Sequence, residues 1–585
     1  MDHSQEHTFQ QLCDRLSTKG EFAVERLDHW AATTPERPFF HYGEEDKTYS
    51  YREFGLLTDA IAGNLAANGL GKGDRLAVFT TNPLLAALMM FAAWKAGAVY
   101  APVNFSFKGR LLSYQLQDTA PQWLVTDPGL MPAVNAVAGQ LDRPPMLTLF
   151  RPPAGAHDHV ATVELPDARF RQIPWEQLTA SAQRPDISLT FDDAANIVYT
   201  SGTTGPAKGV LQSHRWIASY TYNLSWSMSP ADVIYNDLPM YHIGGAIANV
   251  VRAAWVGCEV AVWDRFSPTA FWSRIASRGA TTAILLDVMM PWLMKASASP
   301  DDRSNTLNKV HMQPLPMHHH EVAKRFGIDI VTAGFGQTES GSPLGLVIEE
   351  LPEGEATPAA CYRGLPRREI LSRAQEMGMP VLQGEQVKRK GVMGRPTPFV
   401  EVAVLDEHDC PCPVGQPGQL AIRTRLPGVL MTEYLGKPAA TVSAWRNLWF
   451  HTGDAAVLQP DGMYDFVDRL GDRIRVRGEN LSSFQVEDML NQHPQTQMVA
   501  AFAVPGAEGD EDDIVAFVVP IDGSELCVDE LHRFVGDTMP KYMRPKHIRL
   551  VTELPRTPTN KVEKYKLRAV LLNELQASNS GQCSG

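Results

Sequence analysis

A segment rich in glycine and hydroxyl side chains points most directly to chemistry. Residues 199–209 read Tyr-Thr-Ser-Gly-Thr-Thr-Gly-Pro-Ala-Lys-Gly and follow a short apolar run at 195–198. The backbone N–H groups of such a loop can turn inward as an anion-binding nest, and the hydroxyls and the lysine add further donors. The segment lacks the Gly-Lys-Ser/Thr ending of the usual P-loop. It predicts a phosphate-binding loop, with a flexible surface turn as the alternative.

Three other short segments combine carboxylate, hydroxyl and lysine side chains. Residues 334–340 read Gly-Phe-Gly-Gln-Thr-Glu-Ser, residues 451–454 read His-Thr-Gly-Asp, and residues 555–563 read Pro-Arg-Thr-Pro-Thr-Asn-Lys-Val-Glu. Mg²⁺ prefers carboxylate and phosphate oxygens, and a carboxylate can accept two hydroxyl donors at once. Taken singly, each segment is also typical of a turn or a solvated tail.

Together these segments resemble motifs of the acyl-adenylate-forming superfamily, which includes acyl-CoA synthetases, firefly-type luciferases and peptide-synthetase adenylation domains. The superfamily's phosphate loop reads Tyr-Thr-Ser-Gly-Thr-Thr-Gly-x-Pro-Lys-Gly, and this chain differs by an exchange of Pro and Ala before Lys208. The other motifs follow in the superfamily's order. Because several independent motifs agree, chance is a poor explanation.

The resemblance implies a set of nucleotide contacts. The phosphate loop would hold the phosphates, Phe335 would stack on adenine, and Asp454 and Arg469 would bind the ribose hydroxyls. Gly478 lies in a segment that resembles the lining of the thiol tunnel. The implied binding residues are Thr200, Ser201, Gly202, Thr203, Thr204, Gly205, Lys208, Phe335, Gly336, Gln337, Asp454, Arg469 and Gly478.

The resemblance also implies which residues act at the reacting groups. Thr338 would donate to the α-phosphate, and Glu339, with Thr204, would hold Mg²⁺. Lys561 would bridge the substrate carboxylate and the α-phosphate. His242 would lie between the phosphate and the acyl tunnel. The expected cofactors and substrates are ATP, Mg²⁺, CoA and a small carboxylic acid.

Two stretches depart from the superfamily pattern. Asn560 stands where a glycine usually precedes the lysine, and asparagine tolerates a positive φ better than most residues. Residues 310–315 read Val-His-Met-Gln-Pro-Leu where the superfamily has Gly-Gly-Ala-Pro, so that only Pro314 matches. The sequence therefore does not say how this stretch would approach adenine.

The implied activity is that of an ATP-dependent acid–CoA ligase. The acid would attack the α-phosphorus to give acyl-AMP and pyrophosphate, and CoA would then take the acyl group. Loading of a carrier protein or another acceptor, luciferase-type oxygenation, and nucleotide binding without catalysis remain as alternatives. Residues 478–482, Gly-Glu-Asn-Leu-Ser, resemble the crotonobetaine/carnitine–CoA ligase branch and suggest a short, polar, cationic acid that Asp287 and Trp292 could contact.

The elements that must position these residues follow a βαβ rhythm. Helical spacing at 51–68 and 84–98 alternates with short apolar runs at 74–80 and 98–104, which predicts an α/β fold with parallel strands. Short strands and crowded turns after residue 400 predict a barrel-like section. The expected domains are a large N-terminal one at 1–468, a hinge at 469–472 and a small, mobile α+β one at 473–585, with rotation about the hinge between the two steps.

Two further segments break the rhythm. Residues 141–190 are rich in Pro and Ala and predict a surface excursion. Residues 350–395 carry charge clusters and several glycines, and predict an inserted lid or a mobile loop.

Composition narrows the class of protein. The 585 residues include 53 Lys and Arg against 66 Asp and Glu, a net charge of −13, which argues against a nucleic-acid-binding protein. Seven irregularly spaced cysteines and an N-terminus without a signal-peptide pattern favour a cytoplasmic location. The apolar stretch at 84–94 is too short to span a bilayer. The sequence leaves the oligomeric state open.

Overall fold

The chain forms two compact units. The computed structural model describes residues 3–17, 21–200, 207–286, 289–389, 391–469, 474–476, 479–481, 483–505, 512–539, 541–556 and 562–581. Of these residues, the first unit contains those up to 402 and those at 422–450, and the second contains the rest. The predicted domain boundary at 469–472 stays a prediction, because 470–472 fall outside these ranges.

The elements up to residue 450 include most of the strands and helices. The strands are β1 (Pro38–Tyr42), β2 (Lys47–Ser50), β3 (Arg75–Phe79), β4 (Val99–Pro102), β5 (Trp123–Thr126), β6 (Met146–Leu149), β7 (Ala194–Thr200), β8 (Lys208–Ser213), β9 (Val233–Asn236), β10 (Glu259–Val262), β11 (Thr282–Leu285), β12 (Lys309–Met312), β13 (Ile330–Gln337), β14 (Gly341–Glu349), β15 (Val381–Gln383), β16 (Val392–Pro396), β17 (Val400–Leu405), β18 (Pro417–Thr424) and β19 (Glu433–Tyr434). The helices are α1 (His3–Arg15), α2 (Ala23–Thr33), α3 (Tyr51–Ala67), α4 (Pro83–Lys95), α5 (Gly109–Thr119), α6 (Met131–Ala138), α7 (Trp175–Thr179), α8 (His214–Ser225), α9 (Ile243–Gly245), α10 (Arg252–Val256), α11 (Phe271–Arg278), α12 (Met289–Met294), α13 (His319–Phe326), α14 (Arg367–Glu376) and α15 (Pro438–Ala444), with a π-helical turn at Ala246–Val251 and 3₁₀ turns at Gly384–Gln386 and Arg446–Leu448.

Two sheets organise the first unit. One has the strand order β19-β8-β7-β4-β3-β5-β6, and the other includes the run β16-β14-β13-β12-β11-β9-β10-β1-β2. The strands β4, β3, β5 and β6 are parallel neighbours joined by helices. This arrangement confirms the predicted α/β class, since parallel strands need helical crossovers.

Local sequence signals determine where helices α3 and α4 begin and how α4 is buried. Ser50 and Glu53 form a reciprocal capping box at the start of α3, with Glu53 N donating to Ser50 Oγ over 3.2 Å. Asn82 caps α4 by accepting from Leu85 N over 2.9 Å. Every residue of α4 is buried, as expected of a helix that is apolar on all sides. The two predicted helices are therefore confirmed.

In the described residues of 350–395 the alternative of a mobile loop is wrong, and the alternative of an inserted lid stays a prediction. They contain α14, β15 and β16, and Ile370 and Ala374 on α14 pack into an apolar cluster with Ile330 and Val347. The sequence did not indicate this apolar face of α14, because Ile370 and Ala374 are its only fully buried apolar residues and stand among several charged ones. The 141–190 excursion likewise contains two short elements, β6 and α7.

The second unit is smaller. Its elements are β20 (Phe450–Leu458), β21 (Tyr464–Arg469), β22 (Ile474–Val476), β23 (Glu479–Leu481), β24 (Thr496–Pro505), β25 (Asp512–Pro520), β26 (His547–Leu550), α16 (Ser483–Asn491), α17 (Val528–Thr538), α18 (Lys564–Gly581) and a 3₁₀ turn at Lys541–Met543. Alternate residues of β24 face two apolar clusters, as the period of a strand requires. One cluster includes α16 and α17, and the other includes α18.

The strands predicted after residue 400 are present as β17, β18, β20 and β21, and β20 pairs antiparallel with β21. Of the helices in the described part of the chain, none has both the length and the apolar character needed to cross a bilayer.

Candidate active site

Lys208 and Glu339 contact the same tyrosine. The Lys208 ammonium lies 4.8 Å from the centroid of the Tyr434 ring, and Tyr434 OH donates to Glu339 Oε1 over 3.0 Å. The short strand β19 pairs with β8, with Tyr434 opposite Val210, and so brings the ring beside Lys208. The structure therefore gathers a cation and a carboxylate from two separate motifs around one phenol.

The Tyr434 phenol is a hydrogen-bond donor at neutral pH. Burial raises its pKa, and the neighbouring Glu339 carboxylate raises that pKa further. A protonated phenol can donate to a carboxylate while its ring face attracts a lysine. Tyr434 consequently orients both charged groups without carrying charge itself.

The turn that carries Thr338 and Glu339 is tied to β8 and α8. Gln212 Nε2 donates to the Thr338 carbonyl over 2.9 Å, and Trp216 Nε1 lies 3.4 Å from the Glu339 carbonyl, to which it donates. Met431 N also donates to the Glu339 carbonyl over 2.7 Å. Since Lys208 begins β8, the same elements fix the lysine and the acid motif.

Glycines allow close backbone approach within the acid motif. A Cβ on Gly334 would lie 2.3 Å from the Leu344 carbonyl oxygen on the paired strand β14. A Cβ on Gly336 would lie 3.0 Å from the Gly341 carbonyl oxygen and 3.4 Å from Gln313 Nε2. The stretch that departs from the superfamily pattern thus packs against this motif through Gln313.

Phe335 and His242, the two predicted aromatic site residues, are positioned by a strand and by a short helix respectively. Phe335 lies between these two glycines and is 7% exposed. His242 precedes α9, and its Nδ1 accepts a hydrogen bond from Gly244 N over 3.1 Å. An Nδ1 acceptor places the proton of the neutral imidazole on Nε2. His242 is in this way oriented by the helix that it caps.

The phosphate loop is anchored by a strand pair. Thr200 ends β7 and lies opposite Lys208 at the start of the antiparallel strand β8. The loop residues between them, Ser201, Gly202, Thr203, Thr204 and Gly205, lie outside the described residues. Their predicted contacts with phosphate and Mg²⁺ stay predictions.

In the second unit, Asp454 and Arg469 lie opposite each other on β20 and β21. Asp454 is 6% exposed, and its backbone N donates to Thr452 Oγ1 over 3.1 Å. The two residues predicted to bind ribose hydroxyls are therefore neighbours in one strand pair. Gly478 and Lys561 are not among the residues that the structure describes.

Glu339, the one described member of the predicted magnesium site, has the chemistry of a magnesium ligand. The Glu339 carboxylate is a hard oxygen ligand of the kind that Mg²⁺ prefers, and Tyr434 holds one of its oxygens. Glu339 and Thr204 would hold the ion, which would supply neutralisation of phosphate charge when bound.

Sequence reasoning missed Tyr434, Gln212 and Trp216. A two-residue strand gives no detectable periodicity, and the contacts of the other two are to backbone carbonyls. Tyr434 could have been found only by predicting which strand pairs with β8, the strand that begins at Lys208.

Comparison with known proteins decides the family. The profile of the AMP-binding enzyme family matches residues 27–435, and that of the AMP-binding enzyme C-terminal domain matches residues 485–561. The chain belongs to the AMP-binding enzyme family. The membership predicted from the motifs is thereby confirmed, and the first profile ends one residue after Tyr434.

Curated relatives match over most of their length. A crotonobetaine/carnitine–CoA ligase of Salmonella agona is 26% identical over 529 residues, covering 89% of this chain and 93% of the relative. The long-chain-fatty-acid–CoA ligase FadD13 of Mycobacterium tuberculosis is 27% identical over 548 residues, covering 92% and 96%. This AMP-binding enzyme is thus similar to ligases with quite different named acids.

Solved structures show the same fold. The anthranilate CoA ligase AuaEII in complex with anthranoyl-AMP matches with a TM-score of 0.74 at 18% identity, covering 94% of this chain and 97% of that one. ATP-bound MatB from Rhodopseudomonas palustris matches with a TM-score of 0.73 at 21% identity, covering 94% and 99%. At this identity the likeness establishes the fold, and function must be argued from the site.

Proposed function

We propose that this protein is an AMP-forming acid–CoA ligase. It activates a carboxylic acid as acyl-AMP, releasing pyrophosphate, and transfers the acyl group to CoA. The observation that carries the proposal is the convergence of Lys208 and Glu339 on Tyr434 next to the phosphate loop. An oriented cation and an oriented carboxylate are the groups that neutralisation of charge on magnesium-bound ATP requires.

The chemistry requires positioning and charge neutralisation. The acid's carboxylate oxygen attacks the α-phosphorus, the bond from that phosphorus to the bridging oxygen breaks, and pyrophosphate leaves. Lys208 would stabilise phosphate charge, and Thr338 would donate to the α-phosphate. Lys561 is proposed to pair with both the acid and the α-phosphate, and Asp454 with Arg469 to take the ribose.

CoA is the proposed acceptor. The similarity to crotonobetaine/carnitine–CoA ligase and to FadD13 extends over about nine-tenths of this chain. Both are named as CoA ligases, and a thiol attacking the acyl carbon of the mixed anhydride would displace AMP.

We also propose a cytoplasmic location, since the described cysteines are all free thiols, as is usual in a reducing compartment.

The test is acid-dependent exchange of labelled pyrophosphate into ATP with a broad carboxylic-acid panel. We expect exchange with at least one acid class, and AMP release that depends on CoA with the same acids. No exchange with any acid would refute the ligase. Exchange without CoA-dependent AMP release, but with loading of a phosphopantetheinylated carrier, would instead identify the carrier-loading alternative.

A further inference from the structure

Asp118, near the end of α5, contacts two segments of the candidate active site. Its Oδ2 accepts a hydrogen bond from Tyr199 OH over 2.9 Å, and its Oδ1 lies 2.5 Å from the Lys437 ammonium. Tyr199 stands one residue before the end of β7, the strand that enters the phosphate loop. Lys437 lies three residues after Tyr434. One carboxylate therefore joins the strand that leads into the phosphate loop to the segment that positions the phenol.

The same helix also holds the other side of the phosphate loop. One turn before the carboxylate, Tyr114 OH donates to the carbonyl of Ala207 over 2.8 Å, and Ala207 directly precedes Lys208. At the last position of the helix, Thr119 Oγ1 donates to Tyr199 OH over 3.0 Å. Side chains four residues apart lie on one face of a helix. The last turns of α5 thus contact the residues on both sides of the phosphate loop.

Backbone hydrogen bonds tie the segment that carries Lys437 to Tyr434 and to β8. Lys437 N donates to the Tyr434 carbonyl over 2.9 Å, and Leu435 N donates to the Gly209 carbonyl over 2.8 Å. The turn from Tyr434 to Lys437 is therefore closed on itself and attached beside the start of β8. A shift of the Lys437 ammonium would move the phenol that orients Glu339.

The charge pair in this network is partly exposed to solvent. The side chain of Asp118 is 17% exposed and that of Lys437 is 27% exposed. The hydrogen bond to Asp118 raises the pKa of Lys437, and burial raises the pKa of Tyr199, so a cation and a neutral phenol both donate to the carboxylate at neutral pH. Ion pairs that solvent screens contribute little to folding stability, whereas displacement of a group at the reacting centre by about 1 Å can lower a rate by about 10²-fold. The network therefore bears more on the geometry of the site than on the stability of the fold.

We propose that Asp118 is a positioning residue for the adenylation step. It acts through Tyr199 and Lys437, and it holds the phosphate loop and Tyr434 in one geometry for ATP. The inference rests on the proposed function and adds a residue that none of the sequence motifs contains. Because the groups that it positions are proposed to act on ATP, its loss should impair the binding and reaction of ATP and spare the binding of the acid.

The test is pyrophosphate exchange over a range of ATP concentrations and, separately, of concentrations of an accepted acid, for wild type, Asp118→Ala and Asp118→Asn. Alanine removes both contacts, whereas the asparagine amide oxygen can still accept from Tyr199 but carries no charge for Lys437. We expect Asp118→Ala to raise KM for ATP and to lower kcat/KM for ATP by about 10- to 10²-fold, with KM for the acid within about twofold of wild type. Asp118→Asn should lose less. Equilibrium dialysis of ATP with magnesium should rank the affinities in the same order.

Two further variants test the route by which Asp118 acts. Tyr199→Phe and Lys437→Met each remove one of its two contacts, so each should lower kcat/KM for ATP by less than Asp118→Ala does. In the Asp118→Ala background each should cost less than about twofold, because the partner of the removed group is already gone.

The matched control is Asp302→Ala. The side chain of Asp302 is 18% exposed, pairs with Arg325 over 2.8 Å and belongs to none of the site motifs. The control should leave both KM values and the affinity for ATP unchanged. Urea midpoints for all variants show which of them are folded.

Three results would overturn the inference while leaving the ligase proposal intact. They are an unchanged kcat/KM for ATP in a folded Asp118→Ala, a loss no larger than that of Asp302→Ala, and a fall in kcat with the KM and the affinity for ATP unchanged. If Asp118→Ala does not fold, Asp118→Asn and Tyr199→Phe decide by the same criteria. Absence of exchange by wild type with every acid would refute the ligase proposal alone, because dialysis of ATP would still rank the variants.

Discussion

Replacing Tyr434 by phenylalanine tests whether the site depends on the observed hydrogen bond. The change removes the donor that lies 3.0 Å from Glu339 Oε1 and keeps the ring that faces Lys208. If Glu339 acts on ATP-bound magnesium, a carboxylate that is no longer oriented should bind the transition state less well. We therefore expect a slower adenylation step in a folded protein.

The magnitude follows from the kind of bond and its burial. Tyr434 is 8% exposed, so little solvent screens its contact with the carboxylate. A hydrogen bond to a charged group contributes about 1.5–3 kcal/mol, which converts to a loss of about 10- to 10²-fold in kcat/KM. Tyr434→Leu also removes the contact with the lysine and should cost a further factor of about two to five, from about 0.5–1 kcal/mol.

The assay is pyrophosphate exchange with an accepted acid, measured for Tyr434→Phe, Glu339→Gln and the double variant. In the Glu339→Gln background, Tyr434→Phe should cost less than about threefold, because the charged acceptor is already gone. Tyr42→Phe serves as the control. Tyr42 is fully buried and donates to Asp264 over 2.8 Å, and neither residue belongs to these motifs. It should retain wild-type exchange.

Two results would refute the reasoning. An unchanged rate in Tyr434→Phe would show that the bond does not serve catalysis. An equal loss in the presence and absence of the Glu339 carboxylate would show that Tyr434 acts on something else. Equal losses in Tyr434→Phe and Tyr42→Phe would point to general destabilisation, which the urea midpoints would reveal.

Three further predictions concern the scaffold and the second step. Gly334→Ala should cost about 1–3 kcal/mol of unfolding free energy, because its Cβ would lie 2.3 Å from the Leu344 carbonyl, whereas Gly536→Ala, with open space around it, should be neutral or stabilising in urea titrations. Burial lowers the pKa of His214 to about 4 from 6.5, so unfolding free energy should fall by about 3 kcal/mol as pH falls through this window, and His214→Phe should flatten the curve. Gly471→Pro should impair CoA-dependent thioester formation more than pyrophosphate exchange; equal impairment would contradict a rotating hinge.

Local patterns in the sequence predicted the framework of the first unit well. The helix expected at 51–68 is Tyr51–Ala67, and the one expected at 84–98 is Pro83–Lys95. Capping residues and apolar spacing act within a few positions, so they are visible in a single sequence. The strand before the phosphate loop was predictable for the same reason, since the apolar run at 195–198 lies within β7.

Contacts between distant segments were not predictable. Tyr434 and Glu339 are 95 residues apart, and the short strand that positions Tyr434 leaves no pattern in the sequence. The π-helical turn at Ala246–Val251 likewise does not follow the 3.6-residue period that sequence patterns detect.

The pairing of β19 with β8 has a consequence for the synthesis of this protein. Tyr434 belongs to the last strand of the first unit, while Lys208 and Glu339 are translated well before it. Because domains fold as units during translation, a ribosome-bound fragment that ends before Tyr434 would lack the group between its lysine and its acid. Such a fragment would therefore hold its lysine and its carboxylate without the phenol that orients them, so the site would be assembled only late in synthesis.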